Sequence, residues 1–149
     1  MYYIRYHQPI VGVVLDTNVL VAGLRSKRGA SARLLDLVGR GIVEIHVSVP
    51  VVLEYEAVLK RPGMVSAYTP RDIDDLLDGL CALATPQNVF YLWRPQLPDP
   101  ADESILELAV AADRASIVTF NANHFRKAQL FGVRVLEPRD LLFEIGAIA

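Results

Sequence analysis

Short apolar runs alternate along the chain with longer stretches in which apolar residues recur at helical spacing. The first run, Val11 to Leu15, is continuous and largely β-branched, which is typical of a strand that is covered on both faces. Further runs predict strands at residues 42–47, 89–93, 116–120 and 133–136. The chain is therefore expected to form a sheet of about five strands.

Cap residues between these runs mark where helices begin. Thr69 is followed by Pro70 and, three residues on, by Asp72, a combination that is typical of a capping box. Ser48 marks another helix start, and Ser31 is a candidate cap of an earlier helix. The predicted helices extend over about residues 31–39, 48–61, 69–84 and 100–114, with a short one within 121–129 and a closing one from residue 138.

Strands that alternate with helices are typical of a parallel sheet with helices on both faces. The sequence contains no internal repeat, linker or low-complexity tract. We therefore predict a single domain over residues 1–149, with its core at about 11–137. Its fold class is α/β, a three-layer α/β/α sandwich around a central, mostly parallel sheet.

Composition and charge limit the classes of function. A chain of 149 residues that is 52% hydrophobic and 21% charged is long and apolar enough to bury a core. Its formal net charge is -2, so any binding of nucleic acid has to come from a local basic patch.

Cysteine content and hydropathy bear on the compartment. Cys81 is the single cysteine, so an internal disulfide is excluded, and its apolar neighbours predict that it fills the core. No run approaches the roughly 18 apolar residues of a membrane-spanning helix. We expect a soluble cytoplasmic protein without a membrane partner.

Two acids lie where a parallel sheet places its chemistry. Asp16 directly follows the first strand, and the carboxyl ends of parallel strands carry the sites of such folds. Glu54 has Val51 three residues before it and Val58 four after it, so it shares the helix face that covers the sheet. An unpaired buried charge is costly, and a metal ion could serve as its partner.

Two further acids, Asp99 and Asp102, flank the start of the helix predicted from Pro100. Each also has a purely structural explanation, because Asp99 suits the N-cap and Asp102 is favoured by the helix dipole. Capping and metal binding do not exclude one another. Ligands that are all oxygen suit Mg²⁺ or Mn²⁺, which bind a few carboxylates together with water and substrate phosphates.

Four segments, in this order, resemble the motifs of the PIN-domain nucleases. They are VVLDTNVL at 13–20, SVPVVLEY at 48–55, DPADESILELA at 99–109 and IVTFNANHF at 117–125. The resemblance implies a metal-dependent endoribonuclease, and it extends to the VapC-type toxins of prokaryotic toxin–antitoxin pairs. It implies RNA as substrate, Mg²⁺ or Mn²⁺ as cofactor, a cognate antitoxin and a homodimer.

The resemblance also assigns roles to individual residues. It implies catalysis and metal binding by Asp16, Glu54 and Asp102, with Asp99 as an auxiliary metal-binding acid. It implies that the polar residues Thr17, Asn18, Thr119 and Asn121 orient the site. His124 stands where many VapC-type members carry an aspartate, and Asn121 stands where other PIN families carry an acid. By either alignment, a fourth carboxylate is absent.

An acidic site needs cations to attract an RNA strand. Four cations follow the first motif without an intervening acid, and they are the candidate RNA contacts: Arg25, Lys27, Arg28 and Arg33. A solvated loop is the usual explanation of such a run. Arg126 and Lys127, after the fourth motif, are a second candidate.

Two alternatives remain open at this point. A receiver-like or phosphatase-like phosphoryl-transfer protein also has an aspartate after its first strand, but it needs a supporting lysine, and none follows a late strand here. A catalytically degenerate PIN domain that only binds protein or RNA is the second. The apolar stripe Ile73, Leu76, Leu77 and Leu80 is a candidate partner surface, although core packing is its commoner role.

Overall fold

The computed structural model describes residues 11–89 and 96–148, and it contains one five-stranded parallel sheet. The strand order is β3-β2-β1-β4-β5, so β1 is central. The strands are β1 (Val11–Leu15), β2 (Val43–Val47), β3 (Thr85–Pro86), β4 (Ser116–Val118) and β5 (Val135–Leu136). The predicted α/β class and the parallel sheet of about five strands are confirmed.

Helices connect the strands and flank the sheet. They are α1 (Thr17–Arg25), α2 (Ala30–Gly39), α3 (Val49–Leu59), α4 (Pro70–Leu83), α5 (Pro100–Ala111) and α6 (Pro138–Glu144), with a 3-10 helix at Ala122–Phe131. Ser48 caps α3 by accepting the Val51 N–H, and Thr69 and Asp72 form the predicted capping box of α4. These starts were predictable because each depends on one or two local side chains.

One predicted helix start is wrong, and one predicted strand lies almost entirely outside the described residues. Gly29, not Ser31, is the N-cap of the second helix, and Ser31 lies buried inside it. The strand predicted at 89–93 is not seen at Val89, and residues 90–93 lie outside the described residues. Among the described residues, the edge strand beside β2 is Thr85–Pro86, which pairs with the end of β2.

Cys81 also departs from expectation, because it is exposed on α4 and does not fill the core. The apolar stripe on the same helix, by contrast, does lie in the core: Ile73, Leu77 and Leu80 are buried, and Leu76 packs against the core. The stripe is thus part of the core and offers no open surface to a partner.

The core fixes the carboxyl end of β1, where the first acid lies. Val13, Val14 and Leu15 are fully buried, as expected of a central strand covered on both faces. The buried Tyr55 of α3 donates its hydroxyl to the Leu15 carbonyl, which ties α3 to the last residue of β1. Across the part of the chain that the structure describes, no helix combines the length and apolar composition that crossing a bilayer requires.

Candidate active site

Asp16 lies at the junction of β1 and α1 and is held at both carboxylate oxygens. Its Oδ1 accepts the Thr17 N–H at 2.8 Å, which caps α1, and its Oδ2 accepts the Thr119 hydroxyl at 2.7 Å. Its own N–H donates to the Val118 carbonyl at 2.9 Å, which continues the pairing of β1 with β4. The carboxylate is therefore fixed between the start of α1 and the residue that follows β4.

Thr119 is the centre of a small polar network behind Asp16. Its side chain is fully buried, and its hydroxyl accepts the Asn121 N–H at 2.9 Å and Asn18 Nδ2 at 3.4 Å while it donates to Asp16. Asn18 Oδ1 in turn accepts the Phe120 N–H at 3.4 Å. The structure thus brings Asn18, Thr119 and Asn121 together around Asp16, and Thr17 joins them through its backbone N–H.

The substitution Thr119→Val tests this network. Valine has nearly the shape of threonine but has no hydroxyl, so Asp16 loses a donor and the Asn121 N–H loses its acceptor. We expect the free energy of unfolding to fall by about 2 kcal/mol, as for buried groups left unpaired. Urea denaturation measures this value, and Ser66→Ala, which removes an exposed hydroxyl, is the control. An unchanged midpoint for Thr119→Val would show that the network does not hold Asp16.

Asp102 lies in the first turn of α5 and is mostly buried, with only 9% of its surface exposed. Asp99 caps the same helix by accepting the Ala101 N–H at 2.9 Å, as predicted. The exposed His124 lies on the other side, with its Nδ1 at 3.4 Å from Asp102 Oδ2. Asp99 from the same helix and His124 from the 3-10 helix therefore flank one carboxylate.

The electrostatics of the acids show that they share one site. Burial and the negative charges of Asp16 and Asp99 together raise the pKa of Asp102 to about 6, against the opposing effect of His124. Burial also raises the pKa of Asp16 above its usual range, against the hydrogen bonds from Thr119 and Thr17. Two carboxylates that resist ionisation in the same place favour a cation between them.

Glu54 lies on α3, half-buried, one residue before the tyrosine that anchors this helix to β1. Within residues 11–89 and 96–148, no three His, Cys, Asp or Glu side chains form a group that could by itself hold a metal ion. The predicted trio Asp16, Glu54 and Asp102 is thus not a closed three-ligand cage. A direct or water-mediated role for Glu54 stays a prediction.

The donor set of the pair fits a hard divalent ion. Mg²⁺ is usually held by one or two carboxylates with water and substrate phosphates completing its shell, and it seldom needs a cage made of protein alone. Asp16 and Asp102 supply oxygen ligands on a rigid strand end and a rigid helix start, with Asp99 beside them. The residues present therefore suit Mg²⁺ or Mn²⁺.

The four cations predicted to contact RNA fall into two groups. Arg25 donates to the Met64 carbonyl at 2.7 Å, and Arg33 forms an ion pair with Asp36 at 2.9 Å. Lys27 and Arg28 are exposed and, among the described residues, form no ion pair. Only this second group presents cations that are not engaged by the fold.

Sequence reasoning missed one buried acid, Glu103, which is only 8% exposed. Its Oε2 accepts the backbone N–H groups of Gln96 at 2.9 Å and Leu97 at 2.8 Å, whereas its Oε1 is buried without a hydrogen-bond partner. An acid in a first helical turn suggests only a favourable interaction with the dipole. No local signal shows that the segment before α5 folds back over it.

Comparison with known families gives one match. The model of the PIN domain matches residues 12–123, three quarters of the chain. The matched range includes Asp16, Glu54 and Asp102, and it ends one residue before His124. Among curated proteins, none matches the chain.

Proposed function

The chain belongs to the PIN-domain family, whose members are generally nucleases, and from this premise we propose that it is a metal-dependent endoribonuclease. The observation that carries the proposal is the pair Asp16 and Asp102 at the carboxyl edge of the sheet, where Asp16 is partly buried, Asp102 is buried, and the charge of Asp16 helps to raise the pKa of Asp102. A divalent cation offsets the repulsion between such carboxylates, and a phosphodiester can complete the ligand shell of that cation.

In the proposed mechanism, bound Mg²⁺ or Mn²⁺ would lower the pKa of a water molecule and neutralise the charge that develops on the phosphate. Asp16 and Asp102 would hold the ion, and Thr119 keeps the Asp16 carboxylate oriented through its hydroxyl. Glu54 would hold a water from the α3 side, and Asp99 would add negative charge beside Asp102.

The proposal extends to substrate and partners. Single-stranded or structured RNA is the substrate that the sequence resemblance favours, and the exposed Lys27 and Arg28 offer cations for its phosphates. We propose that the protein is the toxin of a toxin–antitoxin pair, that a cognate antitoxin inhibits it and that it acts as a homodimer. The buried stripe of α4 takes no part in that dimer, because it packs in the core.

A second candidate is a catalytically degenerate PIN domain that only binds RNA or protein. The observation that favours it is His124, which lies against Asp102 where related proteins carry an acid. Phosphoryl transfer through an aspartyl nucleophile has no comparable support. Lys60, in the turn after α3, is paired with Glu56 and Asp74 and does not reach Asp16.

Cleavage of a mixed pool of single-stranded RNA tests the proposal. We expect wild type to cleave it with Mn²⁺ but not with EDTA, and Asp16→Asn to lower the rate at least a hundredfold by losing an ionic ligand. Asp75→Asn, an exposed acid of α4, is the matched control and should retain activity. Wild type that binds RNA without cleaving it under Mn²⁺ would favour the degenerate module.

A further inference from the structure

A cavity of about 400 Å³ lies next to Asp102, outside the carboxylate pair. One wall is the segment 96–98, and the other is the 3-10 helix through Asn123, His124, Arg126 and Lys127. His124 belongs to this wall and also lies 3.4 Å from Asp102, so this one side chain links the cavity to the acids. Its volume falls within the range of small-ligand sites, at the size of a single nucleotide and well below that of a duplex.

The cavity is the basic part of an otherwise acidic site. Arg126 and Lys127 are exposed, and among the described residues neither forms an ion pair. By contrast, Arg134 in the neighbouring segment is paired with Glu144 at 2.7 Å. These cations, which no carboxylate engages, lie beside acids that suit a divalent ion. The arrangement favours a polyanion that contacts both the cations and the acidic site.

The first wall of the cavity, the segment 96–98, is held by a buried carboxylate that has no role in the proposed reaction. Glu103 accepts the N–H groups of Gln96 and Leu97 with one oxygen, which fixes the segment over the start of α5. A buried carboxylate is costly, and two backbone donors offset part of that cost. The wall is thus held in place before any ligand arrives, as expected of a binding site.

We infer that this cavity, which we term the basic subsite, binds the nucleotide next to the scissile phosphate of single-stranded RNA, with Arg126 and Lys127 on its phosphate. The inference rests on the proposed nuclease function. It makes the preferred substrate a strand with at least two consecutive phosphates. It also gives Glu103 a role as a positioning residue for the subsite wall.

The first test is binding, which does not require cleavage. Fluorescence anisotropy of a labelled single-stranded RNA oligonucleotide in EDTA compares wild type with the double variant Arg126→Ala/Lys127→Ala. Loss of two phosphate contacts should weaken binding at least tenfold and reduce the salt dependence, the slope of log K against log[salt], by about 1.4. The charge-matched control Arg61→Ala/Arg71→Ala, in the turn after α3 and the first turn of α4, should change neither value.

The second test is cleavage of two short substrates under Mn²⁺. The double variant should lower kcat/KM about tenfold for a trinucleotide with two phosphates and leave a dinucleoside monophosphate within twofold of wild type. An equal change of kcat/KM for both substrates would overturn the subsite, as would an unchanged salt slope. RNA that binds wild type through these cations but is never cleaved would refute the nuclease and keep the subsite.

Discussion

Asp102→Asn is expected to lower the rate of RNA cleavage at least a hundredfold and, at the same time, to make the metal-free protein more stable. The catalytic loss follows because the amide carries no charge to hold a divalent ion. The stabilisation follows because the carboxylate is buried beside Asp16 and Asp99, whose charges oppose its ionisation. Removal of an acid from a functional site often relieves such a conflict.

The direction of this stability change, and the pH range in which it occurs, follow from the pKa of Asp102. In the unfolded chain an aspartate has a pKa of about 3.9, whereas burial and the neighbouring acids raise the folded value to about 6. Between these values the folded state binds more protons, so the contribution of Asp102 to stability is complete below about pH 4 and is lost as pH rises through 6. The difference between the two pKa values corresponds to a loss of about 3 kcal/mol in the free energy of unfolding above pH 7.

Urea denaturation in EDTA at several pH values measures this contribution. Wild type should lose stability relative to Asp102→Asn as pH rises from 4 to 7, and the variant should be about 2 to 3 kcal/mol more stable at pH 8. Asp75→Asn, an exposed acid on α4, should leave the profile unchanged. Equal stability of wild type and Asp102→Asn at all pH values would contradict the predicted strain between the acids.

His124→Asp is expected to destabilise the metal-free protein by about 1 to 2 kcal/mol and to tighten Mn²⁺ binding about tenfold. The imidazole now lowers the pKa of Asp102, whereas a carboxylate in its place would repel Asp102 and Asp16. The same carboxylate would add an oxygen ligand to the pair, so the repulsion becomes an attraction once Mn²⁺ binds.

Thermal denaturation with and without Mn²⁺ separates the two effects. His124→Asn is the matched control, because it removes the imidazole without adding a charge, and it should not tighten Mn²⁺ binding. The shift that Mn²⁺ causes should be largest for His124→Asp. A shift no larger than that of wild type would show that position 124 does not face the metal.

Most of the fold was predictable because its signals are local. The run Val11–Leu15 and the caps Ser48 and Thr69 each depend on neighbouring residues only. Thr85–Pro86 was missed because a two-residue strand that contains proline resembles a loop and forms only on a sheet edge. Cys81 was misplaced because the apolar end of α4 extends beyond the core, where Leu83 is also exposed.

From local patterns, without the family resemblance, the site was predictable only where its residues have local roles as well. Asp16 and Asp99 cap helices and Asp102 lies in a first turn, so their positions followed from the sequence. Two other features depend on the path of the chain outside its helices and strands. Thr119 reaches Asp16 across 103 positions of chain, and Glu103 is buried only because the segment before α5 folds back over it. Neither contact leaves a pattern in the amino-acid order.

Binding of Mn²⁺ followed by electron paramagnetic resonance tests the central claim most directly, namely that Asp16 and Asp102 together hold a divalent ion. Titration of wild type, Asp16→Asn, Asp102→Asn and Asp75→Asn reports free Mn²⁺ without any need for substrate. Wild type and Asp75→Asn should bind Mn²⁺ in competition with Mg²⁺, and each of the other two should bind it at least tenfold more weakly. Equal affinity in all four proteins, or no binding by wild type, would contradict the account.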